Sequence, residues 1–188
     1  MEPVTLTTER LELSAPRDSD VDAVYEACQD PDIQRYTTVP SPYEREHAVD
    51  FIAKTAAWWR EGSETTWAIR TGGTFAGMVG LHRLGRGDGE IGYWMAPAQR
   101  GRGLLREASR AVVDWAFAEE GLALARIEWR ATVGNVASAR TARALGFRYG
   151  GLLRLAITHA GGQRDDAWIA DLLPGDDRSP HRWPVLDD

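Results

Sequence analysis

The sequence predicts a single α/β domain with a mixed central sheet flanked by helices. Its 188 residues suit one domain and can bury a hydrophobic core without disulfides or metal. Several short segments alternate apolar and polar residues between glycine turns, which is typical of strands. Other segments place apolar residues at helical spacing, and they interleave with the strands along the chain.

The first half of the chain predicts one strand, two helices and then three strands. Asp18-Ser19-Asp20 offers N-caps for the first helix, and Gly72-Gly73 offers a hairpin turn between two strands. The predicted ranges are a strand at 10–16, a helix following Asp20, a helix at 44–60, and strands at 66–70, 74–84 and 90–96.

The second half predicts a helix, a strand, a second helix and a closing hairpin. The ranges are a helix at 104–120, a strand at 125–131, a helix at 136–145, and strands at 147–157 and 167–173. The domain therefore covers 1–173, and a proline-rich tail covers 174–188. Trp183 and Val185 give that tail apolar anchors for docking.

Composition and charge narrow the classes of function. The net charge of −6 argues against a nucleic-acid partner, which usually requires a basic surface. The single cysteine, Cys28, excludes an internal disulfide, and we read it as a core residue. The start of the chain has no targeting pattern and no apolar run is long enough to span a membrane, so we expect a cytoplasmic protein. The histidines and Cys28 lack metal-ligand spacing, so we expect no metal.

A glycine turn between the fourth strand and the long helix is the first chemical motif. Pro97 ends the strand, and Gly101 and Gly103 let the backbone turn tightly before the helix begins at Leu104. Free N–H groups and the helix dipole then favour a phosphate, and Arg100, Arg102 and Arg106 add positive charge. The alternative interpretation is a structural turn beside solvated arginines.

Two common nucleotide motifs do not fit this turn. A dinucleotide fingerprint built on Gly101 and Gly103 requires a glycine where the chain has Arg106. A Walker-type loop requires Gly-Lys-Ser or Gly-Lys-Thr, which the sequence lacks. Any phosphate held here belongs to another kind of ligand.

Arg100-x-x-Gly103 after a strand, at the start of a long helix, resembles the Q/R-x-x-G-x-G/A signature of the GNAT acetyltransferase superfamily. Asn135-Val136-Ala137-Ser138, followed by a helix ending in Leu145-Gly146-Phe147, is similar to its RimJ/RimL-like branch of ribosomal-protein N-terminal acetyltransferases. The same is true of the segments 8–13, 90–94 and 161–165. The resemblance covers 8–173 and implies the GNAT-like fold, with a mostly antiparallel sheet.

The resemblance also implies that acetyl-CoA is the cosubstrate. Its pyrophosphate would lie on the loop amides, with Asn135 as a further contact. The implied loop residues are Arg100, Gly101, Arg102, Gly103, Leu104 and Leu105. At Leu105 the family usually has glycine or alanine, and the larger side chain either crowds the pyrophosphate or points into the helix packing; we favour the second.

Acetyl transfer requires a neutral amine, a proton acceptor and a proton for the thiolate that leaves. By analogy with a base glutamate on the corresponding strand of histone acetyltransferases, Glu90 is our candidate base. The alternative is a surface glutamate paired with an arginine. His82, on a neighbouring predicted strand, is the next candidate base.

Ser138 is the candidate acid, because the tyrosine that many relatives have near 142 is replaced by Ala142. Ser138 could equally cap its helix, and Asn135 reads as the N-cap. Tyr36, Tyr43, Trp58 and Trp94 are candidates for the lining of an acceptor pocket.

The expected function is transfer of an acetyl group from acetyl-CoA to a primary amine. The acceptor is a protein N-terminus, a small-molecule amine or an amine-containing antibiotic, and the sequence does not choose among them. The alternative is a module that binds acetyl-CoA without transfer. Relatives are often homodimers, so we also expect a homodimer.

Overall fold

The computed structural model describes residues 1–186, with eight strands and five α-helices over that range. The strands are β1 (Leu6–Thr7), β2 (Glu12–Ser14), β3 (Thr65–Thr71), β4 (Thr74–Gly85), β5 (Asp88–Met95), β6 (Arg126–Thr132), β7 (Arg148–Thr158) and β8 (Arg164–Leu172). The helices are α1 (Val21–Ala27), α2 (Pro31–Tyr36), α3 (Arg45–Glu61), α4 (Leu104–Phe117) and α5 (Val136–Ala144).

All eight strands belong to one sheet of order β1-β2-β3-β4-β5-β6-β8-β7. Every neighbouring pair is antiparallel except β5 and β6, which run parallel. The connection between these two strands is α4, as expected for a parallel crossover. The predicted mixed, mostly antiparallel sheet flanked by helices is confirmed.

Helices cover both faces of the sheet, and each face has its own hydrophobic cluster. The larger cluster packs α4 and α5 against Val79, Leu81 and Ile127. The smaller cluster packs α1, α2 and α3 against Ala68 and Met78. Val79 and Met78 are neighbours in sequence and face opposite ways, because side chains alternate along a strand.

Several element boundaries differ from those predicted. The sequence interpretation missed β1 and α2, although Asp30 caps α2 by accepting a hydrogen bond from the N–H of Ile33 at 3.0 Å. α4 ends at Phe117 and not at 120, because the chain folds back so closely that a Cβ on Gly121 would lie 1.8 Å from the carbonyl oxygen of Trp115. β8 begins at Arg164, three residues before its predicted start.

The segment after β8 packs onto the domain. Trp183 is fully buried, donates its indole N–H to the carbonyl of Phe147 at 3.2 Å, and packs against the rings of Trp129 and Tyr149. Val185 is partly buried against the same cluster. Of the predicted tail, residues 187 and 188 lie outside the described range.

A buried ion pair joins the first helical turn to the sheet. Asp20 accepts two hydrogen bonds from Arg70, both at 2.7 Å, and each side chain is only 4% exposed. Burial alone would raise the pKa of Asp20, but hydrogen bonds and charge from Arg70 and Arg17 hold it below its ordinary value. A depressed carboxyl pKa stabilises the fold above the unfolded pKa and loses that contribution as the pH falls through the folded pKa.

Arg70→Met is therefore expected to lower the free energy of unfolding by about 3 kcal/mol at pH 7, because it leaves Asp20 buried without its partner. Urea unfolding at pH 7 measures the loss, and the difference from the parent chain should shrink at pH 3, where Asp20 protonates more readily. Arg110→Met is the control, since Arg110 is exposed on α4. Equal losses in the two variants would contradict a special role for the pair.

Candidate active site

The central feature of the site is a gap between the two parallel strands. β5 and β6 pair only from Asp88 with Arg126 to Ile91 with Trp129. Beyond that point β5 continues along β4 as far as Met95, and β6 continues along β8 as far as Thr132. The strands therefore diverge, and each presents an unpaired edge of backbone N–H and C=O groups to the gap.

A groove of about 560 Å³, which we call the loop groove, runs along one side of this gap. Its walls are the turn before α4, the first turn of α4 and the first turn of α5. They include Gln99, Arg100, Gly101, Gly103, Leu104, Leu105, Arg106, Asn135, Val136, Ala137 and Thr141.

The glycine turn has the conformation that the sequence suggested. Gly101 and Gly103 both have φ of +75°, a left-handed backbone that favours glycine. Gly103 is the N-cap of α4, and the first intrahelical bond runs from the N–H of Glu107 to its carbonyl. The N–H groups of Leu104, Leu105 and Arg106 therefore have no intrahelical acceptor and point out of the helix start, where an anion would be stabilised.

The two arginines of the turn have different surroundings. Arg100 lines the loop groove, but its guanidinium donates to Asp30 at 2.7 Å and to the carbonyl of Met95 at 3.2 Å. Arg102 is outside the groove wall, and its guanidinium donates to the side chain of Gln99. The charge of Arg100 is thus partly neutralised by Asp30, so the backbone N–H groups are the better placed anion donors.

A clamp from the start of the chain holds the turn in place. Glu107 accepts hydrogen bonds from the hydroxyl of Thr8 at 2.5 Å and from Nε of Arg10 at 2.6 Å. Arg10 also donates to the carbonyl of Arg102 at 3.1 Å. Burial alone would raise the pKa of Glu107, but hydrogen bonds from Thr8 and Arg10 lower it. The Thr8-Glu9-Arg10 segment therefore stabilises the conformation of the glycine turn.

Leu105, the departure from the family signature, is half-buried. It packs against the larger hydrophobic cluster and also contributes to the wall of the loop groove. The side chain therefore has one side in the core and one side on the wall of the groove.

The start of α5 carries a connected set of polar groups. Asn135 caps the helix by accepting the N–H of Ser138 at 3.1 Å. The Ser138 hydroxyl accepts a hydrogen bond from the indole N–H of Trp129 at 3.0 Å and lies 3.4 Å from the hydroxyl of Tyr93. Tyr93 in turn donates to the carbonyl of Ser138 at 3.0 Å, and burial raises its pKa. The serine oxygen is therefore held on the wall of the gap.

A second cavity, of about 440 Å³, opens on the other side of the gap, and we call it the sheet cavity. Its walls come mainly from β4, β5, β6 and β7. It meets the loop groove at a junction formed by Tyr36, Thr37, Tyr93, Trp94, Asn135 and Ser138, which line both spaces. Two ligands entering from opposite sides would meet at this junction.

Glu90 lies on the wall of the sheet cavity. Its side chain is 20% exposed, and Oε2 is buried and accepts no hydrogen bond within the described part of the chain. Arg83 and Arg130 approach that oxygen at 3.1 and 3.5 Å without hydrogen-bond geometry. Burial raises the pKa of Glu90, and the two guanidinium charges oppose the rise.

His82 is paired with Glu90 across β4 and β5 and lines the same cavity. Its Nδ1 lies 2.8 Å from Oε2 of Glu64. Both candidate bases from the sequence are thus on one wall, and both lie about 10–13 Å along the strand direction from the junction residues Tyr93 and Trp94.

A third space, the aromatic cavity of about 520 Å³, continues from the sheet cavity between α3 and the sheet. Tyr43, Trp58 and Trp94 line it, as does Phe51, and Tyr36 lies at the junction. The aromatic residues named from the sequence therefore all line the aromatic cavity or the junction. Cys28 is buried, and burial raises its thiol pKa to about 12.

The sequence analysis missed Tyr93, Trp129, Glu64 and Arg83. Only Tyr93 had a local signal, since it lies within the segment 90–94 that resembles the family. The others reach the site through contacts between residues distant in sequence. Within residues 1–186, no group of three or more His, Cys, Asp or Glu side chains is arranged to hold a metal ion, and no helix is long and apolar enough to cross a membrane.

The sequence and the fold are similar to those of known acetyltransferases. Residues 10–148 match the acetyltransferase (GNAT) domain family. YoaA, an uncharacterised N-acetyltransferase of Bacillus subtilis, is 30% identical over 79% of this chain and 85% of its own length.

Two solved structures share the fold. RimL, a ribosomal-protein α-N-acetyltransferase, superposes with a TM-score of 0.81 at 19% identity, over 92% of this chain and 96% of its own. RimJ of Mycobacterium smegmatis, solved with a CoA disulfide, gives a TM-score of 0.82 at 20% identity, over 93% of this chain and 90% of its own.

Proposed function

Because this chain belongs to the GNAT acetyltransferase family and is an N-acetyltransferase, we propose that it binds acetyl-CoA in the loop groove and acetylates a primary amine that enters through the sheet cavity. The observation that carries this proposal is the junction, where both spaces meet in the gap between β5 and β6. A thioester and an amine brought there from opposite sides would be held close together, which favours direct transfer.

The loop residues fit the pyrophosphate of the coenzyme. The turn at Gly101 and Gly103 exposes the N–H groups of Leu104, Leu105 and Arg106, and such groups bind phosphate oxygens well at a helix start. Arg100 and Arg106 line the same wall, whereas Arg102 contributes through its backbone. The pantetheine arm would follow the groove past Asn135 towards Ser138.

Glu90 is the proposed general base. A partly buried carboxylate with a raised pKa, one of whose oxygens is buried and accepts no hydrogen bond, is suited to take a proton from an amine, directly or through water. The nitrogen then attacks the thioester carbon, the carbon–sulfur bond breaks, and N–H groups on the free edge of β5 stabilise the oxyanion.

Ser138 is the proposed acid for the departing thiolate. Its hydroxyl lies at the junction, and the indole N–H of Trp129 occupies one lone pair of the oxygen. The hydroxyl proton is therefore free to point into the gap or towards Tyr93. Trp129 acts here as a positioning residue.

Trp129→Phe is expected to lower turnover about 5-fold, since it removes one hydrogen bond that orients Ser138. Coenzyme affinity should not change. Steady-state kinetics and calorimetry measure the two effects, and the loss should vanish in a Ser138→Ala background. Trp59→Phe is the matched control, because it removes a buried indole bond to the carbonyl of Thr66 away from the site. A loss that persists without Ser138 would show that Trp129 matters only for packing.

A thiol-release assay across a panel of primary amines tests the function as a whole. We expect amine-dependent release of free coenzyme A together with an acetylated product detected by mass spectrometry. Tight coenzyme binding with no release for any protein N-terminus, small amine or amine antibiotic would support the alternative, a binding module without transfer.

The proposed homodimer has a candidate surface on β7, which forms one edge of the sheet. Leu152, Leu153 and Leu155 are 49%, 39% and 55% exposed there. Sedimentation should give twice the chain mass of 20.8 kDa, and Leu155→Lys should shift the protein towards monomer. A clean 20.8 kDa species for the parent chain at the tested concentration would contradict the dimer.

A further inference from the structure

Acetylation of an ammonium requires two separate proton transfers away from the nitrogen. At neutral pH a primary amine arrives as an ammonium with three N–H protons. One proton stays in the amide, one goes to the sulfur of coenzyme A, and one must leave to solvent. The proton that leaves must be removed before attack, because an ammonium has no lone pair, and the group that takes it must be able to return it to water.

Glu90 is poorly suited to that exchange with water. Its Oε2 is buried, and two guanidinium groups stand within 3.5 Å of it. His82 is on the same wall and is 35% exposed, so its ring has a route to solvent. The two candidate bases therefore differ in access to water, which the group that accepts the first proton must have.

Glu64 fixes the orientation of the His82 ring. Oε2 of Glu64 lies 2.8 Å from Nδ1, and an ionised carboxylate only accepts hydrogen bonds, so Nδ1 carries the proton. Nε2 is then left with its lone pair. This is the arrangement in which a carboxylate holds a histidine ready to accept a proton on its other nitrogen.

Gly92 makes room for that nitrogen. A Cβ on Gly92 would lie 2.8 Å from Nε2 of His82, so the ring lies directly over this glycine. Gly92 follows Ile91, the last residue of β5 that pairs with β6, and begins the part of β5 that diverges from β6. Nε2 is thus displaced from Glu90 towards the junction.

We propose that His82, oriented by Glu64, removes the first proton from the acceptor ammonium, leaving Glu90 to take the second proton from nitrogen during attack. One N–H bond of the ammonium breaks, an N–H bond forms at Nε2, and the imidazolium returns its proton to water at the cavity mouth. The second proton is passed on to the thiolate through Ser138. Besides Glu64 and Glu90, the charged residues that line the sheet cavity or the aromatic cavity together with His82 are Arg83, Arg130, Arg164, Asp50 and Lys54.

This inference rests on the proposed function, and the test separates the two. Two primary amines of the same shape are taken from those that the parent protein acetylates: 2-phenylethylamine and its β,β-difluoro analogue, or the equivalent fluorinated pair of a better acceptor. The fluorinated amine is largely neutral near pH 8 and needs no first deprotonation. If no amine releases coenzyme A, the proposed function itself has failed.

His82→Gln is expected to lower kcat/KM on the order of 100-fold for the ordinary amine and less than about 5-fold for the fluorinated one. Glu90→Gln should lower both similarly. Glu64→Gln should reproduce the His82 pattern more weakly, by roughly 10-fold, with Glu64→Asp restoring part of the rate. Equal losses on both amines for His82→Gln would overturn the proposal.

Two further measurements do not depend on removing the histidine. Gly92→Ala should displace the ring and give the selective loss, whereas Gly85→Ala, with open space around its Cβ position, should not. Nitrogen NMR should find the Nδ1–H tautomer of His82 in the parent protein and in the control Glu61→Gln, and a changed tautomer ratio in Glu64→Gln. An Nε2–H tautomer in the parent protein would contradict the assignment.

Discussion

Glu90→Gln is expected to lower turnover by about 10²–10⁴-fold at neutral pH, the usual range for loss of a general base. Glutamine keeps the size of the side chain and removes its basicity. Coenzyme affinity should barely change, since Glu90 lines the sheet cavity and not the loop groove.

Because the pKa of Glu90 is raised, we can predict the direction in which activity changes with pH and the effect of Glu90→Gln on stability. The ionised form is the base, so activity of the parent protein should fall as the pH drops through that raised pKa, and this limb should be missing from Glu90→Gln. A carboxyl pKa raised in the folded state opposes folding when the group is ionised, so the variant should not be less stable at pH 7. Thermal unfolding separates a catalytic loss from a folding loss.

Asp88→Asn is the matched control for this experiment. Asp88 is exposed and begins the same strand two residues earlier. It should retain near-parent turnover with chemistry as the rate-limiting step. Near-parent turnover for Glu90→Gln under the same conditions would exclude Glu90 as the base and leave His82 as the sole candidate on that wall.

Gly103→Val is expected to weaken coenzyme binding by at least about 100-fold. Valine strongly disfavours the φ of +75° that Gly103 adopts, so the turn must open and the N–H groups of Leu104 and Leu105 lose their common direction. Two charge-assisted hydrogen bonds at about 1.5–3 kcal/mol each are enough for this loss. Isothermal calorimetry with acetyl-CoA measures it directly.

Valine at position 103 is disfavoured by the backbone conformation and not by a steric clash. A Cβ on Gly103 would have only Nη2 of Arg10 nearby, at 3.7 Å, so the fold should survive. Gly87→Val is the control, because Gly87 also has a positive φ, of +85°, in the turn between β4 and β5, and it lines neither the loop groove nor the pocket beside Thr8 and Arg10. It should show similar backbone strain in unfolding and unchanged coenzyme affinity. Unchanged affinity in folded Gly103→Val would exclude the loop as the pyrophosphate site.

The sequence predicts what depends on local patterns. A few neighbouring residues specify each of three features: the glycine turn, the start of α4 and the cap at Asn135. All three are present in the structure. α2 was missed although Asp30-Pro31 is an N-cap pattern, because six residues are too few to show a periodicity.

Contacts between distant residues could not be predicted in the same way. Glu64 reaches His82 over 18 positions, and Arg100 is held by Asp30 over 70. Arg83 is brought to Glu90 by an irregularity in β4, where the register shifts between His82 and Gly85 and Arg83 takes a φ of +52°. Strict alternation along the strand would have placed Arg83 on the opposite face.

The docked segment after β8 has a consequence for shortened forms of the protein. Trp183 packs behind Trp129, and the indole of Trp129 holds the hydroxyl of Ser138, so a residue that reaches neither substrate supports the proposed acid. A chain ending at 173 would retain every strand, both entrances and the glycine turn, yet lack the ring behind that indole. Such a fragment would still bind the coenzyme in the loop groove, but the Ser138 hydroxyl would no longer be held in one orientation. It would therefore bind acetyl-CoA without efficient acetyl transfer.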